Sequence, residues 1–331
     1  SLRNTGFEVE GNLSLIRNPK GFNWDFSFNA SLVHNKIIKL PYNGNENNRQ
    51  GGTQVFDPKT QQVIWVGGYQ EGHTMGDIYA YKQVKILSDW NEVNTMAGDY
   101  IDMIAGLYGP NVSDADKKKY GLTKPIEPGD VLWADLDGNH KIDQLDRVKV
   151  GNIYPKWTGG FSTTLSYKNV SLYGRFDFAL GHTILNMVAM RSLGQSVGFK
   201  NIIKEGLKTW TEENTNTDLP KSYYDDSTNK KNIYRDTKGS DITSVNDRSS
   251  RFYEKGDYLA LRELTLNWKL PVNWISKVGM TNASVYITGQ NLFYITGYSG
   301  SSPEAPLTYP GVDAGRYPTP RTVLVGASVS F

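Results

Sequence analysis

Residues 135–146, Asp-Leu-Asp-Gly-Asn-His-Lys-Ile-Asp-Gln-Leu-Asp, carry the sharpest chemical signal in the chain. Calcium takes six to eight hard oxygen ligands, and a twelve-residue calcium loop supplies them from positions 1, 3, 5, 7, 9 and 12. Those positions hold Asp135, Asp137, Asn139, the backbone carbonyl of Lys141, Asp143 and Asp146, with Ile142 as the apolar eighth residue. Two features depart from the pattern. His140 stands where glycine usually makes the sharp turn, and Asp146 is a shorter closing ligand than glutamate. The sequence supports a bound Ca2+ that braces a loop, against the plainer alternative of a solvated acidic turn. Other chemistry is weakly signalled. The histidines His34, His73, His140 and His182 are scattered, and no zinc-protease, nucleophile-elbow or phosphate-loop string is present. Glu8, Glu10 and Asp25 offer carboxylates of the kind glycosidases pair. Their place on alternating segments suits water-facing strand positions better.

Whatever holds that loop must be built largely from strands. The chain has 331 residues with 8 Trp, 20 Tyr, 12 Phe and 33 Gly, a formal net charge of +2, and no cysteine. Aromatic- and glycine-rich composition of this kind belongs to large β structures. The charge balance argues against a broad nucleic-acid surface. The lack of cysteine removes disulfides, thiolate metal sites and cysteine nucleophiles together. No stretch nears ~18 consecutive apolar residues, so no transmembrane helix is expected. The opening residues SLRNTGFEVEGN lack the basic start and apolar run of a signal peptide. Mean hydropathy is −0.50. A membrane β-barrel tolerates this, because only alternate residues of its short spans need be apolar.

Alternation recurs in seven segments. Trp157, Phe161, Leu165 and Tyr167 oppose Thr158, Ser162, Thr164 and Ser166, and after the break at Lys168-Asn169 the pattern resumes with Val170, Leu172, Phe176 and Phe178 opposing Ser171, Tyr173, Arg175 and Asp177. Phe7, Val9 and Leu13 oppose Glu8, Glu10 and Asn12. Trp24, Phe26 and Phe28 oppose Asp25, Ser27 and Asn29. Tyr258, Ala260, Leu264, Leu266 and Trp268 oppose Glu263, Thr265 and Asn267, although Leu259, Leu261 and Arg262 blur the start. Ala283, Val285, Ile287 and Phe293 alternate with Ser284, Tyr286 and Thr288, and Val323 to Phe331 alternates likewise. Each run is about the ten residues a tilted strand needs to cross a bilayer, longer than the ~5–6 of soluble strands. Aromatic residues near the run ends fit interfacial girdles. The expected fold class is therefore all-β, an antiparallel transmembrane β-barrel portion of about seven membrane strands.

Short connections (17–21, 168–169, 271–281) alternate with long ones (39–150, 181–250, 295–320), as periplasmic turns alternate with extracellular loops. Within the long ones, Asp77–Leu87 and Asp130–Ala134 read as strand pieces that pair above the membrane. Ile184–Trp210 reads as weakly helical, and residues 211–221 as an ordered surface loop. About a fifth of the chain then lies in lipid.

The run GDVLWADLDGNHKIDQLDRVKVGNIYPKWTGGFSTTLSYKNVSLYGRFDFALG resembles the SusC/RagA family of TonB-dependent outer-membrane nutrient transporters of Bacteroidetes-type bacteria. RFYEKGDYLALRELTLNWKLP, GQNLFYITGYSG and RYPTPRTVLVGASVSF look like that family's C-terminal strands, and WTEENTNTDLP resembles one of its extracellular segments. The resemblance runs along nearly all of the chain. It departs from the pattern at His140 and at Ser301-Ser302-Pro303. It implies the C-terminal part of a barrel of roughly 22 strands, with the plug and N-terminal region absent from this sequence and other polypeptide completing both sheet edges.

The resemblance further implies import of an oligosaccharide or oligopeptide, and no enzymatic activity. Its expected partners are a SusD-like surface lipoprotein as lid, TonB acting through the missing N-terminal region, the remaining barrel and plug, outer-membrane lipid, and the barrel-assembly machinery, which would read a terminal strand ending at Phe331. Substrate contacts are sought among lumen-facing groups: Tyr173, Arg175 and Asp177. Tyr294–Tyr298 and Tyr309–Tyr317 could stack sugars or pack against the lid. Two other classes fit parts of the pattern. One is a secreted β-rich glycoside hydrolase. The other is a soluble β-sandwich carbohydrate-binding module with a calcium loop.

Overall fold

The computed structural model describes residues 1–193, 203–222, 249–304, 311–315 and 317–331. Its frame is one antiparallel sheet of seven long strands. They are β1 (Leu2–Ile16), β2 (Phe22–Ile37), β3 (Trp157–Tyr167), β4 (Val170–Leu180), β5 (Tyr258–Lys269), β6 (Asn282–Thr296) and β7 (Thr322–Ser330). Each strand pairs with its sequence neighbour, so the order is that of the chain. Lys168 makes the two-residue turn from β3 to β4 possible by taking a left-handed φ of 51°.

Register carries the alternation across the whole sheet. Phe28, Phe161, Phe176, Leu261 and Phe293 stand in one row, and Asn29, Gly160, Asp177, Ala260 and Tyr294 in the next, on the opposite face. The Phe161 and Phe176 rings stack with centroids 4.6 Å apart. Among the described residues no second sheet covers the apolar face. Trp157 is 38% exposed, Trp268 39% and Phe293 42%. A soluble sandwich would have buried that row. An open apolar face on strands of nine to sixteen residues is what a lipid-facing barrel wall presents. No described helix is long and apolar enough to cross a membrane, which says nothing about strands.

The phase break in β5 has a structural cause. Between Arg175/Phe176 of β4 and Glu263/Leu261 of β5 the register shifts, leaving Arg262 as an extra residue, a β-bulge. The sequence pattern put Tyr258 and Ala260 on the face of Leu264 and Trp268. The bulge reverses this, so Leu259 and Leu261 join the apolar face while Tyr258 and Ala260 line the polar one.

Dry packing occurs in the excursions instead. Strands at Asp77–Tyr81 and Gln83–Ile86 pair with Arg147–Asn152 and Val131–Trp133. Around them Leu87, Val93, Ala97, Tyr100 and Ile142 form a buried core with Trp210. Gly109 enters this unit so closely that a Cβ there would lie 1.7 Å from the Ala97 carbonyl oxygen. The expected pairing of the strand pieces is therefore present. The helical reading of Ile184–Trp210 is corrected. Among the described residues Thr183–Asn186 is a strand, Met187–Ser192 is α-helical and Lys204–Lys208 is a 3-10 turn, while 194–202 lie outside them. The apolar residues here pack in strand fashion, with Ile184 and Leu185 fully buried. Residues 211–221 are ordered: Trp210 N–H donates to Leu219 O (2.9 Å) and Lys221 N–H to Gly129 O (2.8 Å).

Candidate functional site

Among the described residues two groups of side chains bring chemically useful atoms together. The first is the acidic turn, which leaves the strand at Val131–Trp133, makes a two-residue parallel bridge at Lys141–Ile142 against Ile101–Asp102, and enters the strand at Arg147 through a short 3-10 turn. The Asp135 carboxylate accepts from Gly138 N–H (2.9 Å) and His140 N–H (2.8 Å). Asp137 accepts from Asn139 N–H (3.2 Å) and from its Nδ2 (2.8 Å), and Asn139 Oδ1 accepts from Lys141 N–H (2.7 Å). Asp146 accepts from Leu136 N–H and Asp143 N–H, both at 2.8 Å. His140 takes φ 60°, so it makes the turn that glycine would make.

Asp135, Asp137 and Asp146 each offer an oxygen within 4.8 Å of the others. Two of the remaining expected ligands, Asp143 and Asn139, are otherwise engaged. Asp143 accepts from Leu145 N–H (2.7 Å) as a cap, and Asn139 turns its amide to Asp137. Lys141 Nζ sits 5.4 Å from the Tyr120 ring centroid. Burial pushes the Asp146 carboxyl up to about 6, against its two backbone donors, and the Asp143 and Asp135 charges push the same way. Burial also raises Asp137, with the neighbouring Asp135 carboxyl adding to it. Three converging carboxylates, those of Asp137 and Asp146 pushed up by burial, form a donor set that suits a hard divalent cation.

The second group lies on the polar face of the sheet, where register places Tyr173, Arg175 and Asp177 together as expected. Arg175 is exposed beside a recess of ≈ 130 Å³ lined by Ser27, Asn29, Gly160, Ser162 and Asp177. Asp177 is engaged. The bulged Arg262 donates through Nε to it at 2.9 Å, through Nη1 to Tyr294 Oη at 3.2 Å, and through Nη2 to Glu304. Sequence reading missed Arg262, Tyr294 and Glu304 as a unit. The only signal was the phase break at Leu259–Arg262, since nothing local tells that Glu304 returns over β5.

Beside this cluster His182 is buried, with Nε2 3.3 Å from Pro303 O. Burial lowers its pKa, and its Nδ1 lacks a partner among the described residues. Together the two contacts hold residues 302–304 against the sheet end. Of the aromatic stretches, Tyr294 lines this cluster, Tyr298 Oη donates to Asp313 (2.8 Å), Tyr317 is 98% exposed, and Tyr309 lies outside the described residues. Glu8, Glu10 and Asp25 sit on the polar face, where Ser31 and Ser14 hydroxyls donate to Glu8 and Asp25. Phe331 follows β7 and is 83% exposed.

No family model matches the chain. Over its whole length the chain is 30% identical to TonB-dependent receptor P3 of Formosa agariphila, of which it covers 29%, and 25% identical to TonB-dependent receptor SusC of Bacteroides thetaiotaomicron, of which it covers 26%. The structure of the RagAB peptide transporter superposes on all of it with a TM-score of 0.64 at 21% identity, over 29% of that chain. The chain thus spans less than a third of the length of these relatives, which are receptors and transporters and not enzymes.

Proposed function

We propose, from the premise that this chain is a SusC/RagA-like part of a TonB-dependent receptor, that it forms wall and extracellular loops of a barrel importing an oligosaccharide or oligopeptide across the outer membrane of a Bacteroidetes-type bacterium. The observation that carries this reading is the uncovered apolar face of the seven-stranded sheet, backed by a polar face rich in charge. In the proposal, 39–150, 181–250 and 295–320 face the outside, a SusD-like lipoprotein closes the mouth, and TonB acts on parts of the receptor beyond this chain. Tyr173, Arg175 and the Asp177–Arg262 pair line the route and contact the passing nutrient. The name of the RagAB peptide transporter makes peptides the first class to try. Deleting the gene and comparing growth on defined peptide and glycan mixtures tests it. Loss of growth on one class, restored by the intact gene but not in cells lacking TonB, is expected. Undiminished growth on both classes, or recovery of the protein in the soluble fraction, would reject import.

We further propose that the acidic turn holds Ca2+ through Asp135, Asp137 and Asp146, with Asn139, the Lys141 carbonyl and Asp143 closing in as ligands when the ion binds. The three clustered carboxylates support it. A bound ion would neutralise them and brace the strand that starts at Arg147.

A further inference from the structure

The three short turns at one end of the sheet contain Arg17, Lys20, Lys168 and Lys277, with Lys269 at the adjoining strand end, and neither Asp nor Glu occurs in 15–24, 167–172 or 269–283. Two of these turns are tied together. Lys269 N–H donates to Asn169 O (2.8 Å), and Asn169 Nδ2 donates to Lys269 O (3.1 Å). At this same end the apolar row runs Phe22, Tyr167, Val170, Trp268, Val285, every member exposed. Lys168 Nζ lies 5.2 Å from the centroid of the Tyr167 ring, so cation and aromatic already share one surface.

The third turn does more than reverse the chain. After Pro271 it winds through a helical turn at Val272–Ile275 and a 3-10 turn at Ser276–Val278, and ends on Gly279 at φ 77°. Ile275 is 4% exposed and fixes it to the sheet, while Val272, Trp274 and Val278 are 69%, 59% and 64% exposed. Trp274 meets Trp268 edge-on at 6.2 Å. Because Trp268 belongs to the apolar row, that contact sets the turn on the outer side of the wall and extends the lipid-facing surface past the strand ends. In water, three bare apolar side chains on a short turn lose free energy. At a bilayer interface they gain it, and an indole is suited to that depth.

We propose that this rim is a binding surface for anionic phospholipid headgroups. The 272–278 turn lies in the interface with Val272, Trp274 and Val278 at the acyl boundary, and Arg17, Lys20, Lys168 and Lys277 meet the phosphates. The occupant follows from continuity with the lipid-facing wall and from the excess of cations at the rim, where the nearby carboxylate Asp25 accepts from the Ser14 hydroxyl that Arg17 also contacts. The inference rests on the membrane reading above but not on import. The test uses the full-length protein that carries this chain, in vesicles of phosphatidylethanolamine with or without phosphatidylglycerol. Flotation is scored first, and the lipids retained after mild detergent extraction are then counted by native mass spectrometry. The wild type should retain phosphatidylglycerol in preference. Lys20→Gln, Lys168→Gln and Lys277→Gln combined, all at exposed positions, should reduce that preference about tenfold or more. Trp274→Ala should lower retention of both lipids and leave the preference intact. Equal retention by the wild type, an unchanged preference in the triple variant, or displacement of the lipid by inorganic phosphate would overturn the proposal. Wild type that floats but shows no preference sinks this inference alone, whereas protein that fails to float sinks the membrane reading and the inference with it.

Discussion

Arg262 is one residue out of phase, and that position gives it a role no regular strand residue could have. Its side chain is 15% exposed and bridges Asp177 to Glu304, so truncation leaves two partly solvated carboxylates without their shared cation. Arg262→Ala should lower stability by about 1–3 kcal/mol, read as a fall in melting temperature. Arg262→Lys should recover part of the loss, since a point cation replaces only some of the fork's contacts. The acidic turn gives a pH-dependent expectation. Asp146 rises from 3.8 to about 6 in the folded chain. In the absence of metal its contribution is complete below pH 3.8 and is lost as pH rises through about 6. Calcium requires the ionised form. The rise in melting temperature on adding Ca2+ should therefore be larger at pH 7.5 than at pH 5, and Asp137→Asn should shrink it at both. No shift at pH 7.5 would mean that the carboxylates hold no ion.

Among the elements, the segment 203–222 is tied by backbone bonds such as Lys221 N–H to Gly129 O and puts one aromatic ring, Trp210, into the core of the excursion. Trp210 is 8% exposed in the core of the 39–150 excursion and donates through Nε1 to Ser88 O at 3.2 Å. Gly129 approaches its ring so closely that a Cβ would lie 2.6 Å from it. Trp210→Ala should cost about 3–5 kcal/mol of the excursion's stability and expose 208–222 to limited proteolysis, with the seven-stranded sheet left intact. Uniform cleavage of sheet and excursion together would show that the two do not unfold separately. Among the described residues the helical expectation over Ile184–Trp210 held at Met187–Ser192 and not at the strand Thr183–Asn186, for a related reason. Its apolar residues serve contacts with distant chain, Leu185 pairing with Tyr253 and Val312, and no local periodicity encodes those partners.

For the whole molecule, the decisive quantity is what touches each face of the sheet. Phe161 sits mid-row on the uncovered face and Thr164 on the polar one. Phe161→Arg should cost about 2–4 kcal/mol near the bilayer centre and reduce the folded, heat-modifiable band on gels. Thr164→Lys should assemble at wild-type yield. Equal tolerance of both changes would contradict a lipid-facing Phe161.

Alternation by itself determined the seven strands and six of their seven face assignments, because side chains on a pleated strand repeat every two residues and each face meets one solvent. Local spacing also singled out Asp135, Asp137 and Asp146, whose carboxylates the fold brings within 4.8 Å of one another. Tertiary structure alone decided the phase of β5, since a bulge adds a residue that composition does not flag, and it alone brought Glu304 to Arg262 across 42 positions of chain. It also decided that Asp143 and Asn139 serve backbone and neighbour before any ion, because hydrogen bonds in a folded turn are chosen by geometry that a list of ligand positions does not contain.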